Sequence, residues 1–154
     1  MAEITKEEFT DLVLNCQIAM YRLAIGILKN EADAEDAVSN AIMYAFEHLS
    51  SLKNVDKFKA WIMTIVANEA KSMFRKRKKI DLYSDSSLLD SVMEDSNKDV
   101  WQLVMSLDAE FSKVVVLYYY EGFSVKEISG IIHKSEGTVK SRLNRARKKL
   151  KLLL

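Results

Sequence analysis

The chain has 154 residues, 49% of them hydrophobic and 29% charged, with a formal net charge of +1. That length holds one or two small domains, and the absence of Pro with only four Gly favours helices over hairpin-rich sheets. The single Cys16 excludes an internal disulfide and a cysteine metal cluster and reads as a small buried apolar residue. No signal peptide or membrane-length apolar run stands out, so a cytoplasmic protein is expected.

The first predicted element starts at Thr5, which forms a capping box with Glu8. Phe9, Leu12, Val13, Cys16, Met20, Leu23 and Ile27 then carry one apolar stripe as far as Asn30. A second helix is expected over 33–49, with Ala34, Ala37, Val38, Ala41, Ile42, Ala45, Phe46 and Leu49 facing inward. Asp33, Glu35 and Asp36 crowd its start, where acids complement the helix dipole. The polar stretch 50–57 reads as a loop. A long third helix follows over 58–78, with Phe58, Trp61, Ile62, Ile65, Val66 and Met73 on its apolar side. Asn68 sits in its middle as a mediocre helix former, facing solvent or bonded back to the backbone.

Residues 80–99 are rich in Ser and Asp, show no sustained period, and read as a linker. A short helix over 100–107 comes next, and Asp108 can cap another that runs through Phe111, Val114, Val115, Leu117 and Tyr118. Ser124 and Glu127 form a second capping box, followed by the apolar Val125, Ile128, Ile131 and Ile132. After a tight connection at His133 and Lys134, Ser135 is the N-cap of a last helix. Val139, Leu143, Ala146 and Leu150 line its back; Lys140, Ser141, Asn144, Arg145 and Lys148 form its polar front. A short helix, a tight turn and a helix with an apolar back and a basic, amide-bearing front have the pattern of a helix-turn-helix. The fold class expected is therefore all-α, two small helical domains joined by a flexible linker, the second a helix-turn-helix domain.

The small net charge hides segregation. Residues 71–79 hold six bases and no acid, residues 80–99 hold six acids and one base, and residues 100–154 hold ten bases and five acids. Two basic blocks flanking an acidic spacer suggest two contacts with a polyanion, where counterion release supplies affinity without sequence choice.

The stretch EGFSVKEISGIIHKSEGTVKSRLNRARKKLK resembles the promoter-reading C-terminal domain of bacterial RNA polymerase sigma factors. Upstream, NEADAEDAVSNAIMYAFEHL resembles the sigma segment that docks on the polymerase clamp helices, and FKAWIMTIVANEAKSMFRKRKK the segment that recognises and opens the minus-ten element. The order and spacing cover nearly all the chain, and the compact two-domain build is similar to the extracytoplasmic-function (ECF) group. The chain departs from the usual family pattern at Ser39, Asn40, Leu52, His133 and Lys134. His133 stands where Gly is usual, so either it adopts a strained positive φ or the turn is altered.

The resemblance implies a non-enzymatic specificity subunit. Residues 1–79 would bind core RNA polymerase and the minus-ten element, 80–99 would link, and 100–154 would read the minus thirty-five element. At the minus thirty-five element it implies contacts from Ser135, Thr138, Lys140, Ser141, Arg142, Asn144, Arg145 and Lys148. Lys and Arg suit guanine, Asn suits adenine, and Arg142, Arg147 and Lys148 would mainly set position on phosphates. At the minus-ten element it implies Leu52, Lys53, Asn54, Asp56, Asn68, Lys71, Arg75 and Arg77, holding an extruded non-template base. For the polymerase it implies Asp33, Glu35, Asp36, Ser39 and Asn40. The implied partners are core RNA polymerase, promoter DNA and an anti-sigma factor, in many relatives membrane-anchored. No cofactor, metal or small-molecule substrate is expected, because no nucleophile–base pair, phosphate loop or metal-ligand spacing is found. Two other readings stay open: a stand-alone helix-turn-helix regulator that binds duplex DNA as a dimer, and a helical interaction adaptor whose basic tail is nonspecific.

Overall fold

The computed structural model describes residues 4–83 and 99–153, so most of the expected 80–99 linker and the apolar Leu88, Leu89, Val92 and Met93 within it lie outside the described residues. Among the described residues the fold is built from helices without strands: α1 (Lys6–Leu28), α2 (Glu31–Glu47), α3 (Phe58–Tyr83), α4 (Val100–Met105), α5 (Ala109–Val115), α6 (Val125–Ile132) and α7 (Glu136–Leu153).

Local chemistry sets the ends of these helices. Both arms of the first capping box are made: Glu8 N–H donates to Thr5 Oγ1 and Thr5 N–H to Glu8 Oε1, each at 3.1 Å. α2 starts two residues earlier than expected, because Asn30 Oδ1 accepts from Asp33 N–H at 2.8 Å and so caps the helix. The loop after α2 contains two 3₁₀ turns, Leu49–Ser51 and Val55–Lys57. α3 runs to Tyr83, past the expected end near Lys78. Asp108 flanks α5, yet its side chain makes no capping bond there. The helix expected to continue through Tyr118 instead widens after Val115 into a π turn over Val116–Tyr120, with Glu121 N–H donating to Val116 O at 3.0 Å.

α1, α2 and α3 pack together around the buried Phe9, Met20, Leu23, Ala37, Ala41, Phe58, Ile62 and Val66. Phe46, expected inside, remains 46% exposed, with its ring centre 5.5 Å from that of Phe9. α1 contains an 18-residue window of mean hydropathy 1.3, long and apolar enough to cross a membrane by composition, contrary to the sequence expectation. Half of that window is buried as the central helix of the bundle. Cys16 is buried there, and burial pushes its thiol pKa up.

The two halves do not stand apart. Val114, Leu117, Phe123, Ile128, Ile131, Ile132, Val139 and Leu143 from the second half join the same apolar core as α1–α3. A smaller cluster around Val104, Leu107, Phe111, Val115, Val116 and Ala146 holds α4, α5 and α7 together. Gly26 marks the crossing of α1 and the π turn: a Cβ there would lie 3.4 Å from Val116 Cγ2, the limit of ordinary contact.

Candidate nucleic-acid and polymerase interfaces

The helix-turn-helix forms as its caps dictate. Glu127 N–H donates to Ser124 Oγ at 3.1 Å, Ser124 N–H to Glu127 Oε1 at 2.9 Å. Those bonds hold the Glu127 carboxyl below its usual pKa, with a smaller contribution from Lys57 across the chain. His133 takes φ 56° and ψ 45°, and its N–H bonds Ser129 O. The turn is therefore the ordinary left-handed one, made with His in a position that favours Gly. Ser129 Oγ donates to Lys134 O and so ties the turn back to α6. Thr138 N–H donates to Ser135 Oγ at 3.1 Å, so Ser135 caps α7 as expected.

On α7 the expected polar front divides into two flanks. Ser135, Thr138, Ser141, Arg142 and Arg145 line an open cup of about 480 Å³, closed at one edge by Glu110 and Phe111. Lys140 and Asn144 instead line a smaller hollow of about 200 Å³ with Tyr118 and Arg147. Lys148 is exposed. Arg147 Nε donates to Tyr119 Oη at 2.6 Å and its Nη1 to Asn144 Oδ1 at 2.9 Å, while the guanidinium lies 5.6 Å from the Tyr119 ring. That clamp engages the Asn144 amide through its oxygen, a role for Tyr119 and Arg147 that side-chain spacing alone does not suggest. Arg142 is less free than expected. Its side chain is 17% exposed, Nη2 lies 3.9 Å from Glu110, and Nη1 is buried with no partner among the described residues. An unpaired guanidinium N–H is costly and suits an incoming anion.

A second surface forms where α3 meets the loop after α2. Leu52, Lys53 and Asn54 line a cleft of about 370 Å³ together with Lys57, Trp61 and Thr64. Asn54 Oδ1 accepts from Asp56 N–H at 2.9 Å and so shapes the loop. Asn68 is exposed, the solvent-facing one of its two expected conformations. Trp61, Thr64, Asn68, Lys71 and Arg75 recur at helical spacing and share one face of α3, with Lys57 of the preceding 3₁₀ turn at its head. Sequence reasoning took Trp61 as core and missed Lys57 and Thr64; counting back from Asn68 in steps of three and four would have found them. Arg75 and Arg77 are exposed, and Arg77 pairs with Asp33.

The third group lies on α2. Glu35, Asp36, Ser39 and Asn40 are exposed, with Asn40 Nδ2 donating to Glu69 at 3.1 Å. Asp33 is half-buried and engaged by Arg77, which sets it apart from this face. Met43 and Tyr44, 63% and 52% exposed, continue the face as an apolar patch the sequence reading did not assign. Among the described residues no group of three or more His, Cys, Asp or Glu could hold a metal ion.

Comparison with known proteins places the chain in a family. Residues 12–80 match the family model Sigma-70 region 2, and residues 98–150 match Sigma-70, region 4. The chain is 30% identical to the ECF RNA polymerase sigma factor SigM of Bacillus subtilis, over 97% of this chain and 95% of SigM. It is 29% identical to RNA polymerase sigma factor SigV of the same organism, over 99% and 94% of the two chains. Among solved structures, the sigma factor RpoE from Bartonella quintana, co-crystallised with the anti-sigma factor NepR, matches with a TM-score of 0.80 at 28% identity, covering 96% of both chains. The chain belongs to the ECF group of RNA polymerase sigma factors, the subunits that bind core polymerase and direct promoter-specific initiation of transcription.

Proposed function

We propose a division of labour along the chain: residues 1–79 dock on core polymerase and capture the minus-ten element, 80–99 link, and 100–154 read the minus thirty-five element. The observation that carries this reading is the presence, on one chain, of two basic surfaces of different form. The flanks of α7 offer Lys140, Ser141, Asn144 and Arg145 from a rigid helix, as major-groove readout requires. The cleft beside α3 offers an aromatic wall, an Asn-shaped loop and a rim of Lys, which suits an unstacked base and its single-stranded backbone. The acidic start of α2 and its exposed Met43 and Tyr44 form the docking face for polymerase, a charged and apolar mixture typical of an interface. The protein acts as a non-enzymatic specificity subunit. A relative solved with an anti-sigma factor supports a partner of that class for this chain too.

Affinity for purified core polymerase tests the docking face. Asp36→Arg should weaken binding by about 2–5 kcal/mol if the charge is buried on docking, with helicity unchanged. Full affinity in the folded variant would remove α2 from the interface.

A further inference from the structure

Beside the face of α3 that carries Trp61, Thr64, Asn68, Lys71 and Arg75 runs a second line of side chains. Ile65, Glu69, Met73 and Arg77 recur at steps of four and so stack along one edge of the helix. Two contacts fix that edge against α2. Arg77 pairs with Asp33, and Asn40 Nδ2 donates to Glu69 Oε1 at 3.1 Å. The line therefore runs alongside α2 where Asp36 and Asn40 are exposed.

Glu69 is placed unusually for a surface acid. It is half-buried, and Ile65 and Met73, one turn before and after it, pack partly into the core. The ion pairs among the described residues engage Glu121, Asp33 and Glu110, and leave Glu69 without a cation. An ionised carboxylate only accepts hydrogen bonds, so Asn40 must offer its NH₂ here. The bond occupies Oε1 and leaves Oε2 for a second donor. A side chain already held in one rotamer loses less freedom when a partner arrives, and a carboxylate so held suits a guanidinium or an ammonium. The neighbours on α2 agree in sign and character. Glu35 and Asp36 are exposed acids, and Met43 and Tyr44 are exposed apolar groups. Apolar anchors among charges of one sign fit a protein partner that brings the opposite charge.

We propose that Glu69 is a docking residue for core polymerase, its carboxylate aimed by Asn40 at a basic side chain of the polymerase, so that the docking face extends from α2 onto α3. The proposal rests on reading the exposed face of α2 as the docking face.

The test measures binding of the full chain to purified core polymerase by fluorescence anisotropy, without DNA, at low and at high salt. Glu69→Gln keeps an oxygen for Asn40 and removes the charge. It should weaken binding several-fold to about tenfold at low salt and by less at high salt, with the urea midpoint unchanged. Asn40→Ala should weaken binding too, and should cost less in the Glu69→Gln background than alone, because the aim matters only while the charge is there. A bond that merely tied α2 to α3 would move the urea midpoint and leave the salt dependence of docking as it was. Glu69→Lys serves as a second variant if Glu69→Gln loses helicity, and should weaken binding further. Full affinity in the folded variants, a loss that salt does not alter, or independent effects at Asn40 and Glu69 would each overturn the proposal. Asp36→Arg separates the two readings. If it weakens binding and Glu69→Gln does not, the α2 face stands and Glu69 falls from it; if neither does, both readings fall.

Discussion

Arg77 on α3 is ion-paired with Asp33 on α2, so a residue assigned to DNA and one assigned to polymerase neutralise each other in the free protein. Both side chains are partly exposed, and such pairs stabilise a fold by about 0.2–1 kcal/mol. Asp33→Asn should therefore cost no more than that in urea denaturation. It should also free Arg77 for phosphate, steepening the salt dependence of single-strand binding by about 0.7 in the log–log slope. An unchanged slope would show that Arg77 does not reach the backbone.

Arg145 faces the open cup on α7, away from the Tyr119–Arg147–Asn144 clamp. Arg145→Ala should lose about 1–3 kcal/mol of discrimination at one base pair of the minus thirty-five element, measured as initiation on a panel of single-base variants. Tyr119→Phe should act differently: it frees Arg147 and loosens Asn144, so preference should relax at an adenine while total affinity stays close to the parent.

His133 occupies a left-handed conformation that costs a non-Gly residue roughly 1 kcal/mol. His133→Gly removes that strain but enlarges the entropy of the unfolded chain, and these oppose each other. The strain is expected to win by about 0.5 kcal/mol, read as a small rise in the denaturation midpoint. A fall would mean that His133 makes a compensating contact.

Lys113 on α5 is half-buried, and burial first, then Arg142, Lys71 and Lys134, draw its pKa down to about 8. The unfolded chain therefore binds more protons than the folded one between pH 8 and the normal lysine range, so stability rises with pH across that window. The cost of holding the ammonium is present in full below pH 8. Lys113→Met should raise the melting temperature at pH 7 and flatten its rise between about pH 8 and 10. Lys29, drawn to about 8 by the burial of its ammonium and pulled partly back by Asp108, contributes a slope of the same sign that this variant leaves in place.

What the sequence made legible was local. Both capping boxes, the turn at His133 and the buried Val139, Leu143 and Ala146 of α7 depend on residues within one or two turns of each other. Asn30 was overlooked because the acids after it drew the helix start to Asp33, although an Asn that accepts from the third residue on is itself a start signal. The π turn was hidden because it depends on one backbone bond across five residues, which leaves little mark on side-chain spacing. Least legible was the closure of the two halves. A Ser- and Asp-rich spacer says how far two domains can separate, and nothing about whether their faces match. Glu121 follows the π turn, and its side chain is only 3% exposed because Arg22 and Lys59 reach it from helices nearly a hundred and more than sixty residues earlier. The division of the α7 front into two flanks likewise needed Tyr118, Tyr119 and Glu110 from outside the motif.

On the proposed reading, two promoter-reading surfaces on one chain work together on core polymerase. The most direct measurement is to transcribe a library of random duplexes with core polymerase, with and without the protein, and to sequence the templates that give transcripts. The expected result is enrichment only when both are present, of two unlike sequence blocks at one fixed spacing, with Arg145→Ala relaxing the upstream block and Trp61→Ala the downstream one. Equal transcription by core alone, or enrichment of a palindrome by the protein without core, would contradict it.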